Sequence, residues 1–206
     1  CLKHLSSADK VEFMGKVIYL DNSATTPLSD VVKGRISEVL DVYGNPSSLH
    51  SAGQEAEKLL VRAREQMLAS LGVHKREDML IFTSCGTEAN STALFGTAYA
   101  KKRREASRIL TTDSEHPSVS RVLDILSEDG FEIVKIPTRD GVLDMDAVKE
   151  ALSRPVFMAS FMLVNNETGA IYDVAPDLSG FLSGLLQVGI IYYPVALVEF
   201  LVYAPM

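Results

Sequence analysis

Hydrophobic residues follow two different periods along the chain, and the period switches repeatedly between residues 79 and 163. Short apolar runs are typical of buried strands, whereas apolar residues recurring every three or four positions are typical of one helix face. The runs predict strands at 79–82, 108–111, 132–136 and 156–163, and the periodic stretches predict helices ending near 102, over 117–127 and over 144–152. Such alternation implies an α/β protein with a mostly parallel sheet flanked by helices.

The pattern before residue 79 predicts a strand and two longer helices. The run 17–20 is short, apolar and followed by polar residues, as expected of a strand that leads into a loop. Ser29 is placed to cap a helix that continues to about residue 40. After the turn residues 44–48, a second helix is predicted from about Ser51 to Leu71, with Gly72 ending it.

Composition narrows the class of protein. The 206 residues are 47% hydrophobic, enough for one layered domain with a sizeable core. The net charge of -7 offers no positive field for a nucleic-acid backbone, and we interpret the single basic run, 101–104, as the solvated end of a helix. The two cysteines form neither a disulfide framework nor a zinc spacing, which favours a cytoplasmic location.

In parallel sheets of this type, ligands bind in loops beyond the carboxyl ends of the strands. The first such loop contains Ser84, Gly86 and Thr87 directly before a helix. Free backbone amides, small hydroxylated side chains and the helix dipole can together hold a phosphate there. The alternative is an ordinary helix cap, and the loop lacks the lysine of a Walker sequence.

The other two loops supply a ring and amides. His116 precedes Pro117, so it is expected either simply to cap the next helix or to face a ligand from the same sheet edge. There an imidazole can stack on a flat ring or move a proton. Asn165 and Asn166 begin a polar cluster after the last strand, which forms either an Asx turn or a donor to a ligand oxygen.

An anion cradle, a stacking ring and an amide donor are three requirements of a pyridoxal phosphate site. Five segments make the resemblance specific: YLDNSATTPL (19–28), YGNPSSLHSAGQ (43–54), FTSCGTEAN (82–90), SEHPSV (114–119) and VNNETGAI (164–171). In this order they resemble the cysteine desulfurases, which are class V aminotransferases with the type I pyridoxal phosphate fold. The resemblance covers about residues 17–176.

The resemblance implies a role for each matching residue. Gly86 and Thr87 would bind the cofactor phosphate, His116 would stack on the pyridine ring and act in catalysis, and Asn166 would donate to the phenolic oxygen. Residues 22–26 would lie near the active-site entrance. The implied reaction releases sulfur from L-cysteine as an enzyme persulfide, leaving alanine. The family also implies a homodimer and a sulfur-acceptor protein such as an iron-sulfur scaffold. Selenocysteine lyase or another class V aminotransferase is an alternative.

The chain departs from the family pattern after Pro176. In the family, two residues follow the Asn-Asn-Glu segment: an aspartate that keeps the pyridine nitrogen protonated and a lysine that forms the Schiff base. No lysine follows Lys149 here. We therefore expect the chain to be inactive alone. The alternative is a non-catalytic pseudoenzyme or dimerisation subunit.

The predicted layout is an extension (1–16), the N-terminal part of a cofactor-binding large domain (17–176) and a divergent hydrophobic tail (177–206). The uncharged stretch 178–198 is long enough to span a membrane, but its glycines, Gln187 and Pro194 count against a span. We interpret the tail instead as a truncated or frame-shifted end, which would leave the edge of the sheet without a neighbouring strand.

Overall fold

A computed structural model describes residues 11–13, 16–22, 25–70, 80–100, 106–172, 187–192 and 198–203. Predictions for Gly72, for the basic run 101–104 and for tail residues 177–186 lie outside the described residues. By its internal contacts the chain divides into two compact units. One is Pro27–Phe82, and the other consists of Cys1–Thr26 with Thr83–Met206.

The described elements follow the predicted alternation. In chain order they are β1 (Val11–Phe13), β2 (Lys16–Ile18), α1 (Asp30–Leu40), α2 (Ser51–Ser70), α3 (Gly86–Ala100), β3 (Arg108–Thr112), α4 (Pro117–Glu128), β4 (Glu132–Ile136), β5 (Thr138–Arg139), β6 (Val142–Leu143), α5 (Met145–Leu152), β7 (Met158–Met162), β8 (Gln187–Tyr192) and β9 (Val198–Tyr203).

The main sheet has the strand order β4-β3-β7-β9-β8. Strand β3 pairs in parallel with β4 on one side and with β7 on the other, so that Leu110 lies opposite both Val134 and Ala159. Helices separate these three strands along the chain, as parallel pairing requires. The predicted α/β fold class is therefore confirmed.

The last two strands of the sheet are antiparallel, which the sequence did not predict. Strand β9 pairs with β7, and β8 pairs with β9. Only residues 193–197 connect β8 to β9, a connection too short for the crossover that parallel strands need. Because β9 pairs along β7, this edge of the parallel strands has the neighbour that we expected it to lack.

Helices cover both faces of the sheet. Adjacent residues of β3 point to opposite faces, and accordingly Ile109 and Leu110 belong to different hydrophobic clusters. The Ile109 cluster includes Leu94 of α3 and Leu123 of α4. The Leu110 cluster includes Val148 of α5. Because β3 is buried along its whole length, its position anchors the loop that follows it.

The strand predicted at 79–82 is wrong for the described residues 80–82, which have no regular secondary structure. Ile81 is 64% exposed. A strand forms only where a neighbouring strand takes up its backbone hydrogen bonds, and residues 80–82 pair with none of the strands that the structure describes. Periodicity alone does not reveal whether an apolar run has such a neighbour.

The unit Pro27–Phe82 contains the two predicted long helices. Ser29 caps α1 by accepting a hydrogen bond from the Val32 amide at 3.4 Å, as the sequence indicated. Few of the residues in these two helices are buried: none in α1, and only Gly53 and Ala56 in α2. Its secondary structure is therefore local, with little core of its own.

The N-terminal strands β1 and β2 form a separate antiparallel pair, with Glu12 opposite Val17. Among the residues that the structure describes, no helix is both long and apolar enough to cross a membrane. The described part of the stretch 178–198 contains β8 and the first residue of β9 instead.

Candidate cofactor site

The first loop ends in a hydrogen-bonded turn at the start of α3. The backbone amide and the hydroxyl of Ser84 both donate to Glu88, each at 2.6 Å. These bonds stabilise the ionised carboxylate and lower the pKa of Glu88. Ser84, which we had considered for the phosphate cradle, thus has its hydroxyl engaged. Gly86 is buried as the first residue of α3, and Thr87 is exposed.

Cys85 shows what the start of α3 offers a ligand. Hydrogen bonding from the Glu88 amide, the Ser84 side chain and the Thr87 amide lowers the pKa of the exposed Cys85 thiol. Sulfur is a weak acceptor, so a phosphate oxygen is a better partner for the same amides. The donors and the dipole therefore fit an anion, while the predicted phosphate roles of Gly86 and Thr87 stay predictions.

His116 is the N-cap of α4, and Pro117 occupies the first helical turn. Its Nδ1 accepts a hydrogen bond from the Ser118 amide at 3.1 Å and lies 2.8 Å from the Ser118 hydroxyl. The predicted capping role is confirmed. Capping uses only one edge of the imidazole, so it leaves Nε2 and the ring faces for a ligand.

A buried hydrogen bond connects the first two loops. The side-chain amide of Asn90 donates to Ser118 Oγ at 2.9 Å, and both residues are buried. Asn90 lies one helical turn after Gly86, and Ser118 lies two residues after His116. The beginning of α3 and the beginning of α4 are therefore held together, which brings the anion cradle and His116 to the same edge of the sheet.

Glu115 connects the ends of β3 and β7. Its Oε1 accepts hydrogen bonds from the Met162 amide at 2.9 Å and from the Thr112 hydroxyl at 2.7 Å. Burial raises the pKa of Glu115, and the hydrogen bonds to its carboxylate only partly oppose this. The residue directly before His116 thereby fixes its loop to the neighbouring strand.

Asn165 joins the third loop to the second. Its Nδ2 donates to the Ser114 carbonyl at 3.3 Å, and its Oδ1 accepts from the amides of Glu167 and Thr168 at 3.0 and 2.9 Å. The Asx turn considered from the sequence is thus present and belongs to Asn165. Asn166 is half-buried on this turn. The turn formed by Asn165 thus shapes the backbone around Asn166, while the predicted role of Asn166 toward a ligand stays a prediction.

The three predicted loops thus lie together at the carboxyl edge of β3 and β7. A cavity of about 500 Å³ opens beside the second and third loops, lined in part by Ser114, Asn165, Thr168 and Tyr172. Gly86, Thr87, His116 and Asn166 do not line it. Within the described residues, no group of three or more His, Cys, Asp or Glu side chains is arranged to bind a metal.

The predicted entrance segment, 22–26, is described only in part. The Thr26 hydroxyl donates to the Asn22 carbonyl at 3.4 Å, and the Tyr19 hydroxyl donates to the Thr25 carbonyl at 3.0 Å. These bonds shape a local turn. The position of the segment relative to the cofactor site stays a prediction.

Sequence reasoning missed the residues that hold the loops together, chiefly Asn90, Glu115 and Ser118. Each is a polar residue within a quoted segment. Asn90 alone has a sequence signal, because it lies four and eight residues before Leu94 and Ala98, on the apolar face of the helix. Their partners lie 28 to 47 residues away in sequence, so no local pattern reveals the pairing.

A family model supports the resemblance. The model described as "Aminotransferase class-V" matches residues 18–179. This range contains α1 to β7 and all three loops of the candidate site. Most of the chain therefore matches the family.

Curated relatives are cysteine desulfurases. The chain is 40% identical over 159 residues to a cysteine desulfurase of Azotobacter chroococcum mcd 1, covering 76% of this chain and 39% of that protein. It is 36% identical over 159 residues to the cysteine desulfurase NifS of Azotobacter vinelandii, with the same coverage. The chain thus spans about two fifths of the length of the relatives it matches.

Solved structures show the same fold. A NifS-like protein superposes with a TM-score of 0.73 at 27% identity, over 89% of this chain and 57% of that one. A structure of SspA in complex with cysteine superposes with a TM-score of 0.70 at 28% identity, over 80% of this chain and 47% of that one. With the matched loops and the α/β sheet, these findings establish that the chain belongs to the class V aminotransferase family, whose cysteine desulfurase members it resembles over their N-terminal part.

Proposed function

We propose that this chain forms the N-terminal part of the pyridoxal phosphate site of a cysteine desulfurase, within a large-domain segment spanning residues 17–176. The observation that carries the proposal is the joining of three loops by buried or half-buried bonds, from Asn90 to Ser118, from Glu115 to Met162 and from Asn165 to Ser114. Such bonds hold donor groups in place before a ligand arrives, which reduces the ordering cost of binding.

Each proposed contact with the cofactor uses a backbone or side-chain group that lies in one of the three loops. The amides at the start of α3, with the exposed Thr87 hydroxyl, bind the phosphate next to the buried Gly86. The His116 imidazole stacks on the pyridine ring and moves protons in catalysis, while the Asn166 side chain donates to the phenolic oxygen. When bound, the cofactor supplies an electron-accepting ring.

The substrate proposed for the whole enzyme is L-cysteine. Support comes from the relatives named cysteine desulfurase and from a structural neighbour that is a complex with cysteine. The names NifS and IscS among the relatives also support an iron-sulfur scaffold as the sulfur acceptor. We further propose a homodimer, as expected for the family.

We also propose that residues 1–206 alone hold the cofactor without a covalent bond and do not turn over cysteine. The last lysine in the sequence is Lys149, which lies on the exposed surface of α5 and pairs with Asp146. No lysine follows the third loop, where the family pattern places the one that binds the aldehyde. The binding residues and the covalent anchor are thus separable in an experiment.

The binding test uses the deoxy analogue of pyridoxine phosphate, which carries the phosphate and ring but no aldehyde. Equilibrium dialysis should show saturable binding to the full 206-residue chain. Thr87→Val should weaken binding by about tenfold or more, since it removes one hydrogen bond to a charged group, worth at least roughly 1.5 kcal/mol. The matched control is Thr92→Val, at an exposed threonine of the same helix, which should not change binding.

Covalent attachment is tested separately, with pyridoxal phosphate, borohydride and mass spectrometry. We expect scattered labelling of surface lysines, equal in the wild type and in Thr87→Val. A stoichiometric adduct on one lysine would contradict the non-covalent proposal. Absence of analogue binding, or equal loss in Thr87→Val and Thr92→Val, would contradict the cofactor site itself.

A further inference from the structure

We propose that Asn90 and Ser118 are positioning residues that hold His116 in the tautomer with its proton on Nε2. The proposal deepens the proposed function, on which its catalytic meaning rests. The three side chains form a relay, in which Asn90 Nδ2 is 2.9 Å from Ser118 Oγ and Ser118 Oγ is 2.8 Å from His116 Nδ1.

The backbone sets the direction of the relay at the histidine. The Ser118 amide lies 3.1 Å from His116 Nδ1 and can only donate. Nδ1 must therefore carry a lone pair in this geometry. In a neutral imidazole, the proton then resides on Nε2.

Asn90 sets the direction at the serine. A side-chain NH2 group can only donate, so Ser118 Oγ accepts from Asn90 and its own proton is available for His116 Nδ1. Asn90 is 1% exposed and Ser118 is 8% exposed, so little water competes for these bonds. Nδ1 consequently receives two donors, both supplied by Ser118.

The relay decides what the free edge of the ring can do. With the proton on Nε2, neutral His116 presents a hydrogen-bond donor there, and it must change tautomer before Nε2 can accept a proton. That change places a proton on Nδ1 opposite the Ser118 amide and breaks the bond made by the Ser118 hydroxyl. The relay therefore sets the resting His116 as a donor at Nε2 and disfavours it as a base there.

The same relay links the two ends of the candidate site. Asn90 lies one helical turn after Gly86, so the helix that presents amides to an anion also orients the imidazole through Ser118. An anion bound at the start of α3 would thus stabilise the helical turn that carries Asn90. Neither Asn90 nor Ser118 needs to touch the ligand to have this effect.

The experiment is nitrogen-detected NMR of the full chain labelled at histidine, without cofactor, at about pH 8, where histidine is ordinarily neutral. The two ring nitrogens have well-separated shifts when protonated and unprotonated, and two-bond correlations identify the tautomer. The chain has four histidines, so loss of one set of signals in His116→Gln assigns His116. We expect an unprotonated Nδ1 and a protonated Nε2.

Variants test the relay itself. Asn90→Asp replaces the donor with an acceptor of the same shape, which attracts the Ser118 hydroxyl proton away from His116. Ser118→Ala removes that proton. Each should move the Nδ1 signal toward that of a less hydrogen-bonded nitrogen and lower the tautomer ratio about fivefold, the factor for one hydrogen bond. Ser118→Thr keeps the hydroxyl and should leave the signal unchanged.

His50 is an internal control, because its Nδ1 accepts a hydrogen bond from the Gly53 amide at 3.3 Å in the other unit. Its signals should be the same in all variants, and slow exchange of the amides of the buried strands β3 and β7 shows that the unit carrying the relay remains folded. A protonated Nδ1 on wild-type His116, or a signal unaffected by both Asn90→Asp and Ser118→Ala, would overturn the relay. Because no cofactor is present, failure of the relay and failure of cofactor binding are observed independently.

Discussion

At the scale of single residues, the Glu115 side chain holds its loop to the ends of β3 and β7 by hydrogen bonds. Its Oε1 accepts two hydrogen bonds, while its Oε2 is buried with no partner in the part of the chain that the structure describes. Burial disfavours the charged carboxylate more than the two donors favour it, which raises the pKa of Glu115. The folded state therefore binds this proton more tightly than the unfolded state does.

The raised pKa predicts a pH-dependent stability. Below the pKa of the unfolded state, about 4, the carboxyl group is protonated in both states and stability is unaffected. As pH rises from there through the higher pKa of the folded state, the free energy of unfolding decreases. Glu115→Gln cannot ionise, so it should lack this component. Urea unfolding of both proteins between about pH 4 and pH 8 should show the wild type losing stability relative to Glu115→Gln. Parallel pH profiles would contradict the prediction.

Glu115→Ala tests the hydrogen bonds rather than the charge. It leaves the Met162 amide without its acceptor, at a cost of about 1–3 kcal/mol, since that amide lies at the end of a buried strand. Unfolding in urea at about pH 5 measures the loss. Glu167→Ala, at an exposed residue of the third loop, is the control and should change stability by less than about 0.5 kcal/mol.

At the scale of elements, two kinds of interaction place the loops: helix caps, and hydrogen bonds between residues that are distant in the sequence. His116 and Asp144 cap α4 and α5, because their side chains accept hydrogen bonds from backbone amides in the first turn of each helix. The cap at His116 was predicted from the sequence, and Asp144 was predicted as the start of its helix, because a cap and its helix are neighbours along the chain. The bonds that join the helices to one another were not, and they determine where the loops lie.

The cap of α5 yields a prediction with a matched pair of aspartates. Asp144 Oδ1 accepts from the Ala147 amide at 3.0 Å, whereas Asp146 is exposed and forms only a 3.5 Å ion pair with Lys149. Asp144→Ala should destabilise the chain by about 1 kcal/mol through loss of the cap. Asp146→Ala should cost no more than a few tenths of a kcal/mol. Urea midpoints compare the two, and equal losses would show that the cap is unimportant.

At the scale of the whole molecule, burial is distributed unevenly between the two units. In the unit containing the sheet, β3 and β7 are buried along their lengths and hold two hydrophobic clusters. In Pro27–Phe82, exposed apolar side chains include Val31 at 83% and Leu40 at 77%. Since burial of apolar surface supplies most of the stability, the two units should differ in stability.

Hydrogen exchange tests this difference on the full chain. Amides of β3 and β7 should exchange most slowly, because opening them requires breaking both clusters. Amides of α1, which buries no side chain, should exchange at least tenfold faster. Mass spectrometry of deuterated peptides provides the measurement. Equal protection of α1 and β3 would contradict the prediction.

The α/β class, the five described helices and the strands β3, β4 and β7 could be predicted from the amino-acid sequence, because each is encoded by neighbouring residues. It also indicated the three loops and the capping position of His116 through motifs that are continuous in sequence. That residues 80–82 are not a strand is seen only in the three-dimensional structure, because a strand requires a neighbouring strand to pair with. Tertiary structure alone also paired β9 with β7 and placed Ser118 between Asn90 and His116. Those choices depend on contacts between distant residues, for which local periodicity carries no signal.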